Sequence, residues 1–192
     1  MSGGHDIPVR LTTPLSRWDA ESLHAGDRVL LSGVVYTARD AAHARLIALL
    51  EKGQPLPFPT EGQVIYYVGP TPPRPGMPIG SAGPTTSGRM DPYTPALLAA
   101  GVTGLIGKGR RSAEVRDALV KNRAIYFAAT GGAGALLALK IKSAEVVAWG
   151  DLGAEAVRRL VLEDFPLVVI NDVFGNDLYE EGAAHYRVEN RP

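Results

Sequence analysis

The chain has 192 residues, of which 45% are hydrophobic and 21% charged, as expected for one globular domain with a buried core. Lys plus Arg and Asp plus Glu each number 20, so no overall charge favours nucleic acid or an anionic membrane, and any anion site must be local. The absence of cysteine excludes disulfides, thiolate nucleophiles and a self-held iron–sulfur cluster, and the lack of a leader pattern or long apolar run predicts a cytoplasmic protein.

Strands and helices alternate in the first half of the chain. Residues 9–14 are a short predicted strand, 19–23 a brief helix and 28–37 a strand with apolar residues on both faces. From Asp40 the apolar residues recur at helical spacing until Gly53, and another strand follows over 63–69. The Pro-rich residues 70–84 then predict a long loop, which in a compact domain is more often functional or mobile than idle.

The same alternation continues in the second half. A polar loop over 83–95 leads into a helix at 96–100, a strand follows over 102–107, and Ser112 caps the next helix. Further predicted elements are a strand at 124–128, a Gly-rich turn into a helix at 130–138, a strand at 143–149, a helix at 154–160 and a strand at 165–172. This order predicts an α/β fold with a largely parallel central sheet, as one domain over residues 1–192, with a polar tail at 180–192 that can be loosely held.

The polar loop concentrates hydrogen-bond donors. Thr85, Thr86 and Ser87 are adjacent, Gly88 lets the backbone come close to a ligand, and Arg89 follows. A guanidinium holds a carboxylate or phosphate through a planar fork, so the loop predicts an anion site. The alternative is a Ser/Thr-rich turn with a helix cap at its end.

Three cations occupy equivalent places in the predicted topology. Arg39, Arg89 and Lys108 each come after an apolar strand and before a helix. Ligands of open α/β sheets bind in the crevice at that edge, and several cations around one pocket suit a small dicarboxylate. Each of the three taken alone could equally be a solvated surface charge.

Other motifs give weaker signals. The glycines of residues 131–134 lack the Gly-x-Gly-x-x-Gly spacing, and Gly107-Lys108-Gly109 lacks the upstream glycine of a phosphate loop, so nucleotide binding is not expected. His43 lies three residues after Asp40 on one helical face. The two could form an acid/base or orienting pair, or a surface pair.

Six short motifs together resemble the β subunit of the iron–sulfur hydro-lyases, the family of class I fumarate hydratases and L-tartrate dehydratases. They are GPTTSGRMD at 83–91, RDAAH at 39–43, GKG at 107–109, TGGA at 130–133, LGAEA at 152–156 and EDFP at 163–166. They stand in the family's order between about residues 27 and 179.

The resemblance implies a swivelling β/β/α domain and reversible hydration of a C4 dicarboxylate. In this family a [4Fe-4S] cluster acts as Lewis acid, and its cysteines belong to an α subunit or to the N-terminal domain of fused forms. This cysteine-free chain would therefore complete the active site at the interface with a cluster-bearing partner, in an assembly expected to be α2β2.

The resemblance also assigns roles. Arg39, Arg89 and Lys108 would hold the substrate carboxylates, with Thr86, Ser87 and Gly88 positioning the substrate. Thr85 would take the C3 proton, which requires neighbouring cations to lower its pKa. His43 matches a residue considered an active-site acid/base in tartrate dehydratase β subunits.

The substrate is the finer question. Gly88 and the Glu155-Ala156 pair are closer to fumarases, whereas Ala154 replaces their usual Met. We therefore expect fumarate hydration to L-malate, with L-tartrate dehydration to oxaloacetate as the alternative, because one added hydroxyl needs only a small pocket change. A hypothesis of another class is a non-catalytic dicarboxylate-binding module that has lost its partner.

Overall fold

The computed structural model describes residues 7–185 and residue 187. Within these residues one sheet contains seven strands, which are β1 (Val9–Thr12), β2 (Arg28–Thr37), β3 (Val64–Tyr66), β4 (Gly104–Gly107), β5 (Ile125–Ala128), β6 (Ile141–Ala148) and β7 (Val157–Asn171). The α-helices are α1 (Arg17–Glu21), α2 (Asp40–Glu51), α3 (Thr94–Ala99), α4 (Ala113–Asn122), α5 (Gly134–Ala138) and α6 (Leu178–His185), and 3-10 helices span Ser87–Met90 and Gly150–Glu155. The α/β prediction is confirmed.

Strands β1 to β5 lie side by side in chain order and all pair in parallel. Helix α2 connects β2 to β3, α3 lies between β3 and β4, and α4 connects β4 to β5. Because neighbouring parallel strands point the same way, the carboxyl ends of β2, β3, β4 and β5 meet at one edge of the sheet. We call this the carboxyl edge.

Strand β7 runs antiparallel and joins the two sides of the sheet. One of its edges pairs with β2 from Arg28↔Val168 to Tyr36↔Arg159, and the other pairs with β6 and β5. The pairing therefore runs in a closed circuit from β2 through β3, β4, β5 and β7 back to β2. The sheet is mixed, so the predicted parallel arrangement holds for β1 to β5 alone, and the swivelling β/β/α description stays a prediction.

The helix predicted over 154–160 is wrong. The 3-10 helix ends at Glu155, and Val157 begins β7, a strand of 15 residues. Ala, Glu and Arg favour a helix in isolation, but β2 and β6 offer backbone partners on both sides of this segment, and Val157 and Leu160 are fully buried. Tertiary pairing thus overrides local propensity, and the predicted strand over 165–172 is the second half of β7.

The core has two parts, because alternate residues of each strand face opposite sides of the sheet. One hydrophobic cluster contains Phe127 and Phe165 together with the β3 residue Tyr66, and the other contains Ile65 and Tyr126 with the apolar faces of α2, α3 and α4. Burial on both faces explains why these strands read as continuous apolar runs.

The predicted loose tail over 180–192 is only partly described. Residues up to His185 belong to α6, whereas residues 186 and 188–192, like residues 1–6, lie outside the described part of the chain. Among the described helices, none combines the length and apolar composition needed to cross a membrane.

Candidate active site at the carboxyl edge

The predicted site residues gather around the carboxyl edge. Arg39 follows β2 by two residues, Lys108 directly follows β4, and the loop from Gly83 to Arg89 leads from β3 into the 3-10 helix. Since β2, β3 and β4 are adjacent and parallel, these segments come together in space. The structure therefore brings together the elements that the sequence analysis combined.

Arg39 and Arg89 meet at one carboxylate. The Nε of Arg89 donates to Oδ1 of Asp40 at 2.9 Å, and Nη2 of Arg39 lies 3.7 Å from Oδ2 of the same side chain. Asp40 is the first residue of α2, and Arg89 belongs to the 3-10 helix. Two of the three predicted cations thus share a counter-ion.

Arg39 is also fixed from two other sides. Its Nη2 lies 3.4 Å from Oε1 of Glu155, whose other oxygen accepts the Ala41 backbone N–H at 2.9 Å. On the far side a Cβ at Gly69 would lie 2.7 Å from Nη1 of Arg39, so only glycine leaves the guanidinium this much room. The sequence analysis noted Glu155 only within a motif and did not single out Gly69.

The hydroxyl-rich loop is bonded to the strand ends through its backbone. The Thr85 N–H donates to the Tyr67 carbonyl at 2.7 Å, the Ser87 N–H donates to the Lys108 carbonyl at 2.8 Å, and the Lys108 N–H lies 3.3 Å from the Thr85 carbonyl. Thr86 and Lys108 form an isolated parallel bridge. This pairing places Thr85 beside Lys108.

The polar side chains of this loop differ in exposure. Thr86, Gly88, Arg89 and Lys108 are exposed, and Thr85 is half-buried. The Lys108 side chain lies next to Gly131, because a Cβ built at Gly131 would be 3.8 Å from the Lys108 Nζ. The exposed groups form an open surface at the carboxyl edge.

Ser87 points into the protein. Its Oγ lies 2.9 Å from the Tyr126 hydroxyl and accepts the Lys108 N–H at 3.1 Å, while Tyr126 donates to the Gly109 carbonyl at 2.8 Å. Because the Tyr126 hydroxyl donates its proton to the Gly109 carbonyl, the Ser87 hydroxyl donates to the Tyr126 oxygen. The Ser87 side chain is therefore engaged with Tyr126 and with the Lys108 backbone, and its substrate-binding role stays a prediction.

His43 is fully buried in the first turns of α2. Its backbone N–H and its Nδ1 both contact the Arg39 carbonyl, at 2.8 and 2.9 Å, and its ring packs against Tyr67 and Tyr93. A carbonyl only accepts, so Nδ1 carries the proton and Nε2 is left as the acceptor. Burial lowers the pKa of His43 from 6.5 to about 4, so the ring is neutral near pH 7.

A buried cation that the sequence analysis missed supports the 3-10 helix. Arg111 donates from Nε to Asp91 at 2.7 Å and from Nη2 to the Thr94 hydroxyl at 2.7 Å, and its guanidinium lies over the rings of Tyr67 and Tyr126. Asp91 also accepts the Ser112 N–H ahead of α4. Arg111 lies only three residues after Lys108, which could have indicated that it belongs near the site. Because it follows another arginine, Arg110, the sequence favours two exposed surface charges instead.

The chain does not fit an iron–sulfur cluster. The sequence has no cysteine, and the described residues contain no group of three His, Asp or Glu side chains that could hold a metal ion. A cluster held by thiolates would need cysteines that this sequence does not contain.

A separate cleft of about 790 Å³ lies at the opposite edge of the sheet. It is bounded by the segments that enter β3, β4 and β5, with Glu61, Thr103 and Arg123 among its lining residues. None of the predicted site residues lines it, so the candidate site is not this cleft but the open surface at the carboxyl edge.

Comparison with known proteins gives one consistent group. The family described as fumarase C-terminus matches residues 2–182. The class I, anaerobic fumarate hydratase of Escherichia coli (strain K12) is 38% identical over 182 residues, which are 93% of this chain and 33% of that protein. The mitochondrial fumarate hydratase 1 of Leishmania major is 42% identical over 156 residues, covering 80% and 28%.

A relative of subunit size belongs to the same group. The putative L(+)-tartrate dehydratase subunit beta of Methanocaldococcus jannaschii is 37% identical over 173 residues, which are 87% of this chain and 89% of that protein. The chain thus spans about a third of the fumarate hydratases that it matches, and nearly the whole of a protein named as a β subunit.

Proposed function

Because this chain belongs to the fumarase C-terminus family, we propose that it forms one wall of a hydro-lyase active site that adds water to a C4 dicarboxylate. The observation that carries the proposal is the meeting of Arg39 and Arg89 at Asp40, beside the paired Thr85 and Lys108 backbones. Relatives of both named activities are hydro-lyases, which supports this reaction class.

The cations would bind the two ends of the substrate. Asp40 engages Arg89 through Nε, so the two Nη groups can hold a carboxylate in a bidentate fork. Lys108, two strands away from Arg39, offers a point charge for the second carboxylate. Fixed positive groups at both ends would align a flat diacid along the carboxyl edge.

Thr85 is the proposed base. In the direction of dehydration a proton leaves C3, the C3–H electrons form the double bond, and hydroxide leaves C2. A threonine hydroxyl is a poor base unless nearby cations stabilise its alkoxide, and the Thr85 backbone is bonded beside Lys108. His43 is the weaker choice, because its ring is fully buried and carries its Nδ1 proton on the Arg39 carbonyl.

A [4Fe-4S] cluster, held by a cysteine-bearing partner, would supply the Lewis acid that this chain lacks. The proposed assembly is therefore this chain with an α-type subunit, as α2β2, and the open surface around Arg89 and Lys108 is consistent with a site completed from outside.

We prefer fumarate and L-malate as substrates, with L-tartrate and oxaloacetate as the alternative pair. Relatives with each name are similarly close, at 38% and 37% identity, so the preference rests on Gly88 and Glu155 within their motifs. A small residue at 88 leaves space beside the hydroxyl-rich loop.

The test is co-expression of the full chain with a cysteine-bearing partner subunit from the same genome, followed by anaerobic assays of fumarate hydration and tartrate dehydration. We expect turnover of fumarate. Turnover of tartrate alone would support the alternative substrate, and no turnover of either by a cluster-loaded complex would contradict the hydro-lyase proposal. Fumarate binding without any stable partner complex would instead favour the dicarboxylate-binding module.

A further inference from the structure

Asp40 is the shared anchor of two guanidinium groups. It accepts from Nε of Arg89 at 2.9 Å and lies 3.7 Å from Nη2 of Arg39, although Arg89 is 49 residues further along the chain. Because Asp40 begins α2, its carboxylate sits where the positive end of the helix dipole favours an anion. The anchor is therefore held on a rigid element.

The charges explain why an anchor is needed. Two guanidinium groups that converge on one site repel each other, and more strongly where solvent is partly excluded. The side chains of Arg39 and Asp40 are only 21% and 30% exposed, whereas Arg89 is 54% exposed. A carboxylate placed between the two arginines offsets this repulsion before a diacid arrives.

The geometry of the contact also leaves the binding groups free. The guanidinium of Arg89 donates to Asp40 from Nε, which leaves the edge between its two terminal nitrogens outside this contact. Glu155 helps to hold Arg39, but its second oxygen accepts from the start of α2 rather than from Arg89. Only Asp40, among the described carboxylates, contacts both arginines.

We propose that Asp40 is a positioning residue that pre-orders Arg39 and Arg89 for a substrate carboxylate. This inference rests on the proposed function of the site. Asp40 acts through the two arginines and exchanges no proton in the reaction. Because both arginines hold the carboxylate in the ground state and in the transition state alike, loss of Asp40 weakens substrate binding more than the chemical step.

The kinetic test uses the complex of this chain with its cluster-bearing partner. For Asp40→Asn, which removes the charge but keeps the shape, we expect KM for fumarate to rise roughly tenfold with kcat within about twofold of wild type. Asp40→Glu, which restores the charge, should recover part of the KM. The matched control is Asp151→Asn, which breaks the exposed pair between Asp151 of the 3-10 helix Gly150–Glu155 and Arg45 of α2 and should leave KM unchanged.

A second measurement needs no catalysis. In the isolated full chain, the Arg89 Nε–H should show slow hydrogen exchange by NMR, at least about tenfold slower than in Asp40→Asn, with no change in Asp151→Asn. Equal exchange rates, an unchanged KM in Asp40→Asn, or a fall in kcat alone would overturn the inference. A protected Nε–H in a chain whose wild-type complex turns over no diacid would refute the proposed function while leaving the Asp40–Arg89 anchor in place.

Discussion

The Ser87 Oγ lies 2.9 Å from the Tyr126 hydroxyl inside the protein, and the same oxygen accepts the Lys108 N–H. One small side chain thus links the hydroxyl-rich loop to two strands of the sheet. A Cβ at Gly107 would lie 1.9 Å from this oxygen, so the contact also depends on the glycine that ends β4.

Replacing Ser87 by Ala should destabilise the protein by about 2 kcal/mol, because the buried Tyr126 hydroxyl loses a partner and the Lys108 N–H keeps only its longer contact with the Thr85 carbonyl. Urea unfolding of Ser87→Ala measures this. Ser143→Ala, at an exposed position of β6, is the control and should change the free energy of unfolding by less than about 0.5 kcal/mol. Equal effects of the two substitutions would show that the contacts of the Ser87 hydroxyl do not stabilise the protein.

His43 should make the stability depend on pH. Its pKa is about 4 in the folded protein and 6.5 when exposed, so between these values the unfolded chain binds more protons. Above pH 6.5 the protonation of His43 does not lower the free energy of unfolding. As the pH drops from 6.5 toward 4, that free energy falls by about 3 kcal/mol. Unfolding of wild type and His43→Phe at several pH values should give a shallower dependence in the variant. A directly titrated His43 pKa near 6.5 would contradict this.

The buried Arg111–Asp91 pair should matter far more to stability than an exposed pair of the same type. Arg111→Met leaves Asp91 without its partner inside the protein and should cost about 3–5 kcal/mol. Arg45→Met, which breaks the exposed pair with Asp151, should cost less than about 1 kcal/mol. Denaturant unfolding compares the two, and similar losses would show that burial does not decide the difference.

Gly69→Ala separates function from stability. The added methyl would lie 2.7 Å from Nη1 of Arg39, a flexible side-chain end that can move, so we expect a stability change below about 1 kcal/mol but a displaced guanidinium. Catalytic efficiency of the complex should fall roughly tenfold through KM. Gly182→Ala in α6, where a methyl meets nothing within 4 Å, is the control. Unchanged kinetics in Gly69→Ala would show that Arg39 does not bind substrate.

Arg89→Lys keeps the charge and removes the planar fork, and it also removes the Nε–H that Asp40 accepts. The activity of the complex should fall by about an order of magnitude or more. The same change at Arg17, at the opposite edge of the sheet, should have no kinetic effect. Near wild-type kinetics for Arg89→Lys would take Arg89 out of the site.

The parallel strands of the sheet could be predicted from the sequence. Apolar runs just before Arg39 and Lys108 predicted β2 and β4. The alternation of strands and helices predicted that these strands are parallel, and therefore that the two cations lie at the same edge of the sheet. Periodicity and turn residues are local signals, so they could place these elements without any knowledge of long-range contacts.

The remaining features depend on contacts between distant segments. The helix expected over 154–160 is a strand because β2 lies beside it, a pairing of residues more than a hundred positions apart. The inward direction of Ser87 and the burial of Arg111 depend on Tyr126, which local sequence does not reveal. For the same reason the sharing of Asp40 by two arginines was not predicted.

The circuit of strands closed by β7 bears on the order in which the protein is made. Arg39 is braced by Glu155, and β2 finds its antiparallel partner only in residues 159–168. A ribosome must therefore synthesise nearly the whole described chain before the pairing of β2 and the contacts of Arg39 can form, and contacts of such long range are slow to form. A growing chain halted before residue 155 would carry all three cations and still lack both Glu155, which contacts Arg39, and β7, which pairs with β2.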